Sequence, residues 1–145
     1  MTPIPAPVPA PAPTPVSIIV DNGDAGTSYT RYWRASSGKL SYDDGSMYTR
    51  VDGGTYTWTA KLPKSGKYKI YMWWSDWTSR TPLARVDVTH TGGIATVNVD
   101  QRVNEGKWNL IGTYDLSTTG KVTLRSTSKQ YSTCADAIRF VEVTE

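Results

Sequence analysis

Apolar and polar residues alternate in several short stretches of this chain. Tyr56 and Trp58 share one set of alternate positions, and Val122 and Leu124 share another. Successive side chains of a strand project to opposite faces, so this pattern predicts strands with one buried face. No window shows a sustained helical period. Strands are predicted at 18–20, 55–60, 67–74, 85–89, 96–100, 108–114, 121–125 and 137–143.

Residue pairs with turn chemistry separate the predicted strands, and each pair contains glycine. They are Asn22-Gly23, Asp44-Gly45, Gly53-Gly54, Ser65-Gly66, Gly92-Gly93, Glu105-Gly106 and Thr119-Gly120. Many short strands at this spacing are typical of all-β sandwiches. We therefore predict an all-β fold, a β-sandwich of jelly-roll type.

Prolines occupy alternate positions at the start of the chain. Seven of the nine prolines lie there, from Pro3 to Pro15. Proline restricts its backbone angle and lacks an N–H donor, so this stretch favours extended polyproline II, a semi-rigid spacer. We predict a Pro/Ala-rich linker at 1–16 and a β-sandwich domain at 17–145, one module among several. A disordered tail without a role is the alternative.

Length, charge and cysteine content narrow the class of protein. The 145 residues have a net charge of +3 and one cysteine, Cys134, which we expect to be buried and which excludes an internal disulfide. No block of Lys or Arg marks a nucleic-acid or membrane surface. No apolar run approaches the roughly 20 residues of a membrane span, and no secretory signal is recognisable. We expect no nucleic acid and no membrane span, and a piece of a longer protein or a chain without its leader.

Aromatic residues are densest in the segment YMWWSDWTSR, from Tyr71 to Arg80, which contains three of the six tryptophans. Strand alternation directs one set of side chains to the core: Tyr68, Ile70, Met72 and Trp74. The other set faces the opposite side: Lys67, Lys69, Tyr71 and Trp73. Trp77 and Arg80 follow in a polar loop. Aromatic surface on both sides of one strand is typical of a binding surface.

The outward aromatic residues are candidates for carbohydrate binding. The apolar C–H face of a pyranose packs against Trp73 or Trp77, flanked by Tyr71, and its equatorial hydroxyls remain available for hydrogen bonds. Arg80 supplies a guanidinium fork that matches uronate, pyruvate ketal or phosphate oxygens, so an acidic polysaccharide is favoured. Arg34 is a second such contact.

The tryptophans also have structural interpretations. Trp33, next to Arg34, is a candidate ligand contact, but it also fits a set of residues that cover the core or a sheet: Trp33, Trp58, Trp74 and Trp108. Exposed aromatic patches mark protein interfaces as readily as sugar clefts. The alternative function is therefore a structural or protein-interaction module that docks against a neighbouring domain or self-assembles.

The segment DNGDAG is a candidate calcium site. Asp21 and Asp24 supply carboxylate oxygens in a tight turn, and Ca²⁺ prefers several oxygen ligands. Asp136 joins them if the first and last strands pair. This predicts a structural Ca²⁺ bound by Asp21, Asp24 and Asp136. In the alternative interpretation, Asp21 and Asp24 cap turn amides and Asp136 accepts a buried hydrogen bond.

Signals for catalysis are weak. His90 is the sole histidine and precedes Gly92-Gly93, where a solvated cap is expected. No G-x-S-x-G nucleophile elbow occurs. Glycoside hydrolysis needs two carboxylates that flank a cleft, and most of the aspartates here lie in turn sequences. We predict that the chain is not an enzyme.

Five segments, in order, resemble one known family. They are IIVDNGDAG, WRASSG, YTWTAKLPKSGKYKIYMWW, VNVDQRVNEGKWNLIGTYDL and CADAIRF, and they cover nearly everything from Ile18 to Val141. Together they resemble the golvesin carboxyl-terminal-like domain, an accessory module of xanthan lyases, amidases and other secreted bacterial enzymes. The resemblance implies a galactose-binding-like β-sandwich without its own catalysis that binds carbohydrate.

The resemblance also carries expectations about partners and location. It implies an extracellular or cell-surface location and a catalytic or other domain in a larger parent protein. Two features depart from the family pattern. Tyr131 to Cys134 replace the valine-rich stretch before the last motif, and Trp77 is an extra aromatic residue. Ligand specificity is therefore expected to be particular to this protein.

Overall fold

The described part of the chain consists of β-strands joined by turns. The computed structural model describes residues 3–7 and 14–144. No helix occurs in these residues, and hence none that could cross a membrane. The strands are β1 (Ser17–Asp21), β2 (Thr27–Thr30), β3 (Arg34–Ser36), β4 (Ser46–Thr49), β5 (Thr55–Lys61), β6 (Gly66–Trp73), β7 (Ala84–His90), β8 (Gly93–Val99), β9 (Asn109–Leu116), β10 (Thr119–Arg125), β11 (Thr133–Ala135) and β12 (Ala137–Glu142).

These strands form three antiparallel sheets. A four-stranded sheet has the order β1-β12-β6-β9, a five-stranded sheet the order β2-β5-β10-β7-β8, and a three-stranded sheet the order β11-β4-β3. The first and last strands pair, with Val20 opposite Ile138. The predicted all-β sandwich is confirmed.

The hydrophobic core lies between the two larger sheets. Alternate residues of β6 and β10 are buried, namely Tyr68, Ile70, Met72, Val122 and Leu124. Fully burying a large apolar side chain contributes about 1.5–3 kcal/mol. The alternation that predicts these strands therefore also supplies the core. Trp74 and Cys134 are buried, as expected.

Gly120 allows the two larger sheets to approach each other. It lies in β10, and a Cβ atom placed on it would be 2.6 Å from Cε1 of Phe140 in β12. The predicted turn at Thr119-Gly120 is therefore wrong, because both residues belong to the strand. Glycine is required at this position because the Phe140 ring leaves no space for a Cβ atom. Glycine inside a strand often marks such a close approach.

All eight strands predicted from the sequence are present, but four others were missed. The missed strands are β2, β3, β4 and β11, which contain only three or four residues each. Stretches this short hold too few alternating positions to be separated from loops. Three of them, β3, β4 and β11, form the three-stranded sheet.

The predicted linker lies largely outside the described residues. Within 1–16, the structure describes 3–7 and 14–16, and in 3–7 every residue is exposed and belongs to no strand. The first strand begins at Ser17. The division into a linker at 1–16 and a domain at 17–145 stays a prediction.

Gly120→Ala is expected to destabilise the fold by about 1–3 kcal/mol, because the added methyl group overpacks a buried contact with Phe140. Urea unfolding measures the change. The double variant with Phe140→Leu should be destabilised by less than the sum of the two single variants, because the smaller side chain relieves the contact with the added methyl group. Simple additivity would show that the Phe140 ring is not the cause.

Candidate functional site

A loop crosses one face of the three-stranded sheet. Arg34, Tyr48 and Cys134 are directly opposite one another on β3, β4 and β11, so their side chains project from the same face. Ser75, which follows β6, contacts this face, because its backbone N–H donates to Cys134 Sγ at 3.4 Å. The loop ends at Arg80, which forms a bridge with Ser132. The segment from Ser75 to Arg80 is therefore fixed over the sheet.

Arg80 is buried beneath this loop, with 1% of its surface exposed. Its Nε donates to Ser75 O at 3.0 Å, and its Nη2 donates to Ser75 Oγ at 2.7 Å and to Ser36 Oγ at 3.1 Å. Its Nη1 donates to Ser132 Oγ at 3.0 Å. Every one of these acceptors is neutral, and within residues 3–7 and 14–144 no carboxylate forms an ion pair with Arg80. Burying a charge without a counter-charge is costly, so an anion is a favourable neighbour.

Gly38 provides the space that the Arg80 side chain occupies. A Cβ atom at Gly38 would be 2.7 Å from Arg80 Nη2 and 2.6 Å from Ser75 Oγ. The glycine at the end of the WRASSG segment therefore has a packing role. It lets β3 and the residues after it approach the buried guanidinium.

A cleft opens above Arg80, and we call it the Trp77 cleft. It has a volume of about 120 Å³, and Trp77 forms one wall with 45% of its surface exposed. Arg50 lies at the rim, where its Nη1 donates to Gln130 O at 2.8 Å. No acidic residue lines this cleft, whose lining consists of Ala35, Ser36, Ser37, Tyr48, Arg50, Trp77 and Arg80.

A second cleft adjoins the first, and we call it the Arg34 cleft. Its volume is about 160 Å³, and it is lined by Tyr32, Arg34, Tyr48, Thr49, Arg50 and Val51. The guanidinium carbon of Arg34 lies 5.5 Å from the centre of the Tyr32 ring, a cation–π arrangement. The two clefts together are called the basic groove below. They present arginine and aromatic side chains and no carboxylate.

Tyr71 and Trp73, two of the predicted ligand contacts, lie elsewhere. Both face outward from the four-stranded sheet and are half-buried. Trp73 Nε1 donates to Leu40 O at 2.8 Å, and its ring packs edge-on against Tyr42 and Trp108 with centroids 5.6 and 5.3 Å away. Neighbouring rings therefore pack against the Trp73 ring, which the sequence predicted to bind a sugar.

Trp33 belongs to the core. Only 4% of its surface is exposed, its Nε1 donates to Thr30 O at 3.0 Å, and its ring packs edge-on against Tyr56. No ring face remains for stacking with a ligand. This is the structural interpretation that the sequence also allowed.

The structure thus brings together three of the six predicted contacts: Arg34, Trp77 and Arg80. Arg34 and Trp77 are exposed at the groove, whereas Arg80 forms its floor instead of the surface fork expected from the sequence. Sequence reasoning missed Tyr32, Tyr48 and Arg50. Tyr48 and Arg50 alternate with Thr49, and this alternation was the one sequence signal that could have identified them as neighbours on one face.

The predicted calcium ligands lie at another cavity: Asp21 and Asp24 line it, and Asp136 is bonded to Asn22 in its lining. Asp136 is fully buried, its Oδ2 accepts from the Tyr42 N–H at 2.9 Å, and its Oδ1 accepts from Asn22 Nδ2 at 3.2 Å. Asp24 Oδ2 accepts from the Asp21 N–H at 2.9 Å. Throughout the residues that the structure describes, no group of three or more His, Cys, Asp or Glu side chains is arranged to hold a metal. These contacts match the hydrogen-bonding alternative, and calcium binding stays a prediction.

Asp136 has an unusual proton affinity. Burial raises its pKa to about 8, the Tyr42 amide opposes the shift, and the charge of the adjacent Asp21 adds to it. Burial likewise raises the pKa of Asp21 above its ordinary value. Near neutral pH the pair therefore favours a state in which the two carboxyl groups share a proton.

The fold is shared with carbohydrate-binding modules. A family 35 carbohydrate-binding module from Clostridium thermocellum superimposes with a TM-score of 0.61 and 17% identity, covering 88% of this chain and 99% of that one. This likeness shows that the two share a β-sandwich fold. The sequence model of the Golvesin C-terminal domain matches residues 18–142, and the chain belongs to that family.

Similarity extends to two much longer proteins. A xanthan lyase from Bacillus sp. (strain GL1) is 36% identical, with 88% of this chain and 15% of that protein covered. The structure of a Paenibacillus xanthan lyase matches with a TM-score of 0.82 and 37% identity, covering 88% of this chain and 13% of that one. This chain therefore corresponds to a small part of either relative.

The raised pKa of Asp136 predicts a specific pH dependence of stability. A carboxyl group whose pKa is higher in the folded state binds its proton more tightly when folded. Its favourable contribution is complete below the unfolded pKa of 3.8 and is lost as pH rises through about 8. The free energy of unfolding should therefore fall across this range, by up to about 1.4 kcal/mol per pH unit from this group.

Asp136→Asn should flatten the profile, because the amide does not titrate. Urea unfolding from pH 4.5 to 8.5 measures this, with Asp52→Asn, an exposed position, as the matched control. Parallel profiles for wild type and Asp136→Asn would contradict a titrating role for Asp136.

Calcium binding is tested by calorimetric titration of chelated protein. An ion held by Asp21, Asp24 and Asp136 would release heat and raise the melting temperature, because it attracts carboxyl groups that otherwise repel one another or share a proton. Asp136→Asn should lose both effects, and Asp52→Asn should keep them. No heat and an unchanged melting temperature in the wild type would contradict the prediction of a calcium site.

Proposed function

We propose that this domain is a non-catalytic carbohydrate-binding module that binds an acidic polysaccharide in the Trp77 cleft. The observation that carries the proposal is the buried Arg80 guanidinium at the floor of a cleft whose wall is the exposed Trp77 ring. An uncompensated charge favours an anionic group, and the ring favours the apolar face of a sugar. An acidic sugar presents both features together.

Arg80 contributes mainly charge, whereas other side chains contribute contacts. A guanidinium has five N–H groups, and four of those on Arg80 bond to serine oxygens. One N–H on Nη1 remains for a ligand. Arg50 at the rim is exposed and keeps donors beyond the one used by Gln130 O. A carboxylate in the cleft would thus bond to Arg50 and lie within the field of Arg80.

The proposal includes a place for this domain within a larger, extracellular or cell-surface protein. It is supported by family membership and by the xanthan lyase relatives, of which this domain matches only 13–15%. In such a protein the module would hold the polysaccharide near a catalytic domain. Stacking and arginine contacts bind an acidic chain without any chemical step.

The outer face of the four-stranded sheet supports a second candidate function, docking against a neighbouring domain or self-assembly. Tyr71 is flanked in register by Arg139 and Leu110, and Arg139 by Ile19. Leu110 is 55% exposed and Ile19 is 38% exposed. Sedimentation tests self-association through this face: an oligomer broken by Leu110→Lys would favour it, and a monomer would favour the sugar-binding proposal.

Trp77→Ala should weaken polysaccharide binding by about tenfold or more, equivalent to at least ~1.4 kcal/mol. Affinity electrophoresis in gels containing xanthan, with hydroxyethyl cellulose as the neutral comparison, measures the change. Trp73→Ala is the matched control, since its ring packs on Tyr42 and Trp108 outside the cleft. Equal retardation of Trp77→Ala and wild type in xanthan would exclude this cleft, and the absence of retardation in the wild type would count against an acidic ligand of this kind.

A further inference from the structure

The Trp77 cleft and the Arg34 cleft share a wall, because Tyr48 and Arg50 line both. Arg34 and Tyr48 are directly opposite on paired strands, which places their Cβ atoms about 5 Å apart. Arg50 lies two residues beyond Tyr48, about 7 Å further along the chain direction. The basic groove is therefore longer than one sugar ring.

The two ends of the basic groove differ in charge. Arg34, Arg50 and Arg80 form no ion pair in the described chain, whereas Arg85 and Arg102 pair with neighbouring aspartates. A third cavity meets the Trp77 cleft at Ala35 and Ser36, on the side away from Arg34. Its lining includes four aspartates: Asp21, Asp24, Asp43 and Asp44. An anionic chain is attracted toward Arg34 and repelled from this third cavity.

The Arg34 cleft has the same two chemical features as the Trp77 cleft. Tyr32 is an exposed aromatic ring, with 62% of its surface accessible, and Arg34 lies above it. Each cleft thus combines one exposed aromatic side chain with one arginine of its own, and Arg50 stands between them. Repetition of this combination along a groove suits a ligand that repeats in the same way.

We propose that the two clefts are successive subsites for an acidic polysaccharide, with one carboxylate-bearing sugar residue in each. This inference rests on the proposed function, and it adds the length and charge pattern of the ligand. Arg34 binds the carboxylate of the second residue, Tyr32 contacts its ring, and Arg50 lies between the two.

Calorimetry with galacturonic acid and with di- and tetragalacturonate tests the two subsites. The tetrasaccharide should bind at least about tenfold more tightly than the monosaccharide, the gain expected from a second charge-assisted contact. Arg34→Ala should remove this gain, so that the tetrasaccharide binds no more tightly than the monosaccharide. Trp77→Ala should weaken binding at every length. Lys69→Ala removes an equal charge from the exposed face of β6 and should behave as wild type.

The outcomes separate this inference from the proposed function. Trp77-dependent binding that is equal for all lengths, or unaffected by Arg34→Ala, would overturn the second subsite and leave the module's function standing. If no galacturonide binds the wild type, both proposals fail for acidic sugars of this kind. A tetraglutamate peptide that binds as tightly as tetragalacturonate would show recognition of charge alone and would overturn the sugar subsites.

Discussion

The hydrogen bonds of the buried Arg80 guanidinium hold the candidate binding surface together. They connect Ser75 after β6, Ser36 at the end of β3 and Ser132 next to β11, three segments that are distant in sequence. Removing the donor would leave the buried Ser75 carbonyl without its partner, at about 1–3 kcal/mol, whereas the three serine hydroxyls keep other hydrogen bonds. The same contacts fix the loop that carries Trp77 over the three-stranded sheet. Arg80 therefore determines both the shape of the groove and part of its positive charge.

Opposite charges line two neighbouring cavities that meet at Ala35 and Ser36 of β3. On one side, the basic groove presents Arg34 and Arg50 above Arg80, and no carboxylate lines it. On the other side, aspartates line a cavity next to the buried Asp136, whose raised pKa keeps a proton on the pair that it forms with Asp21. Keeping that pair partly protonated limits the cost of burying two carboxyl groups side by side. An anion is therefore favoured in the basic groove and disfavoured in the aspartate-lined cavity.

Alternation predicted the long strands because each buries enough side chains to leave a readable pattern. Tyr68, Ile70 and Met72 in β6 are an example, and all three are in the core. The same rule placed Trp73 on the outer surface, but it could not show that Tyr42 and Trp108 pack against the ring. Gly120 was read as a turn because glycine punctuates turns far more often than it accommodates a facing ring such as Phe140. The alternation of residues within a strand indicates which face a side chain occupies, but it does not indicate which distant residues pack against it.

The order of residues alone was sufficient for the sandwich, its core and the family, because these follow from periodicity within single strands and from motifs spread along the chain. The groove required the tertiary structure. Arg34, Tyr48 and Trp77 meet only when β3, β4 and β11 pair and a loop crosses them. Those strands are three or four residues long, and their pairing is specified by contacts with distant segments. Long-range pairing of short strands leaves almost no local signal, so only the folded chain reveals where these side chains converge.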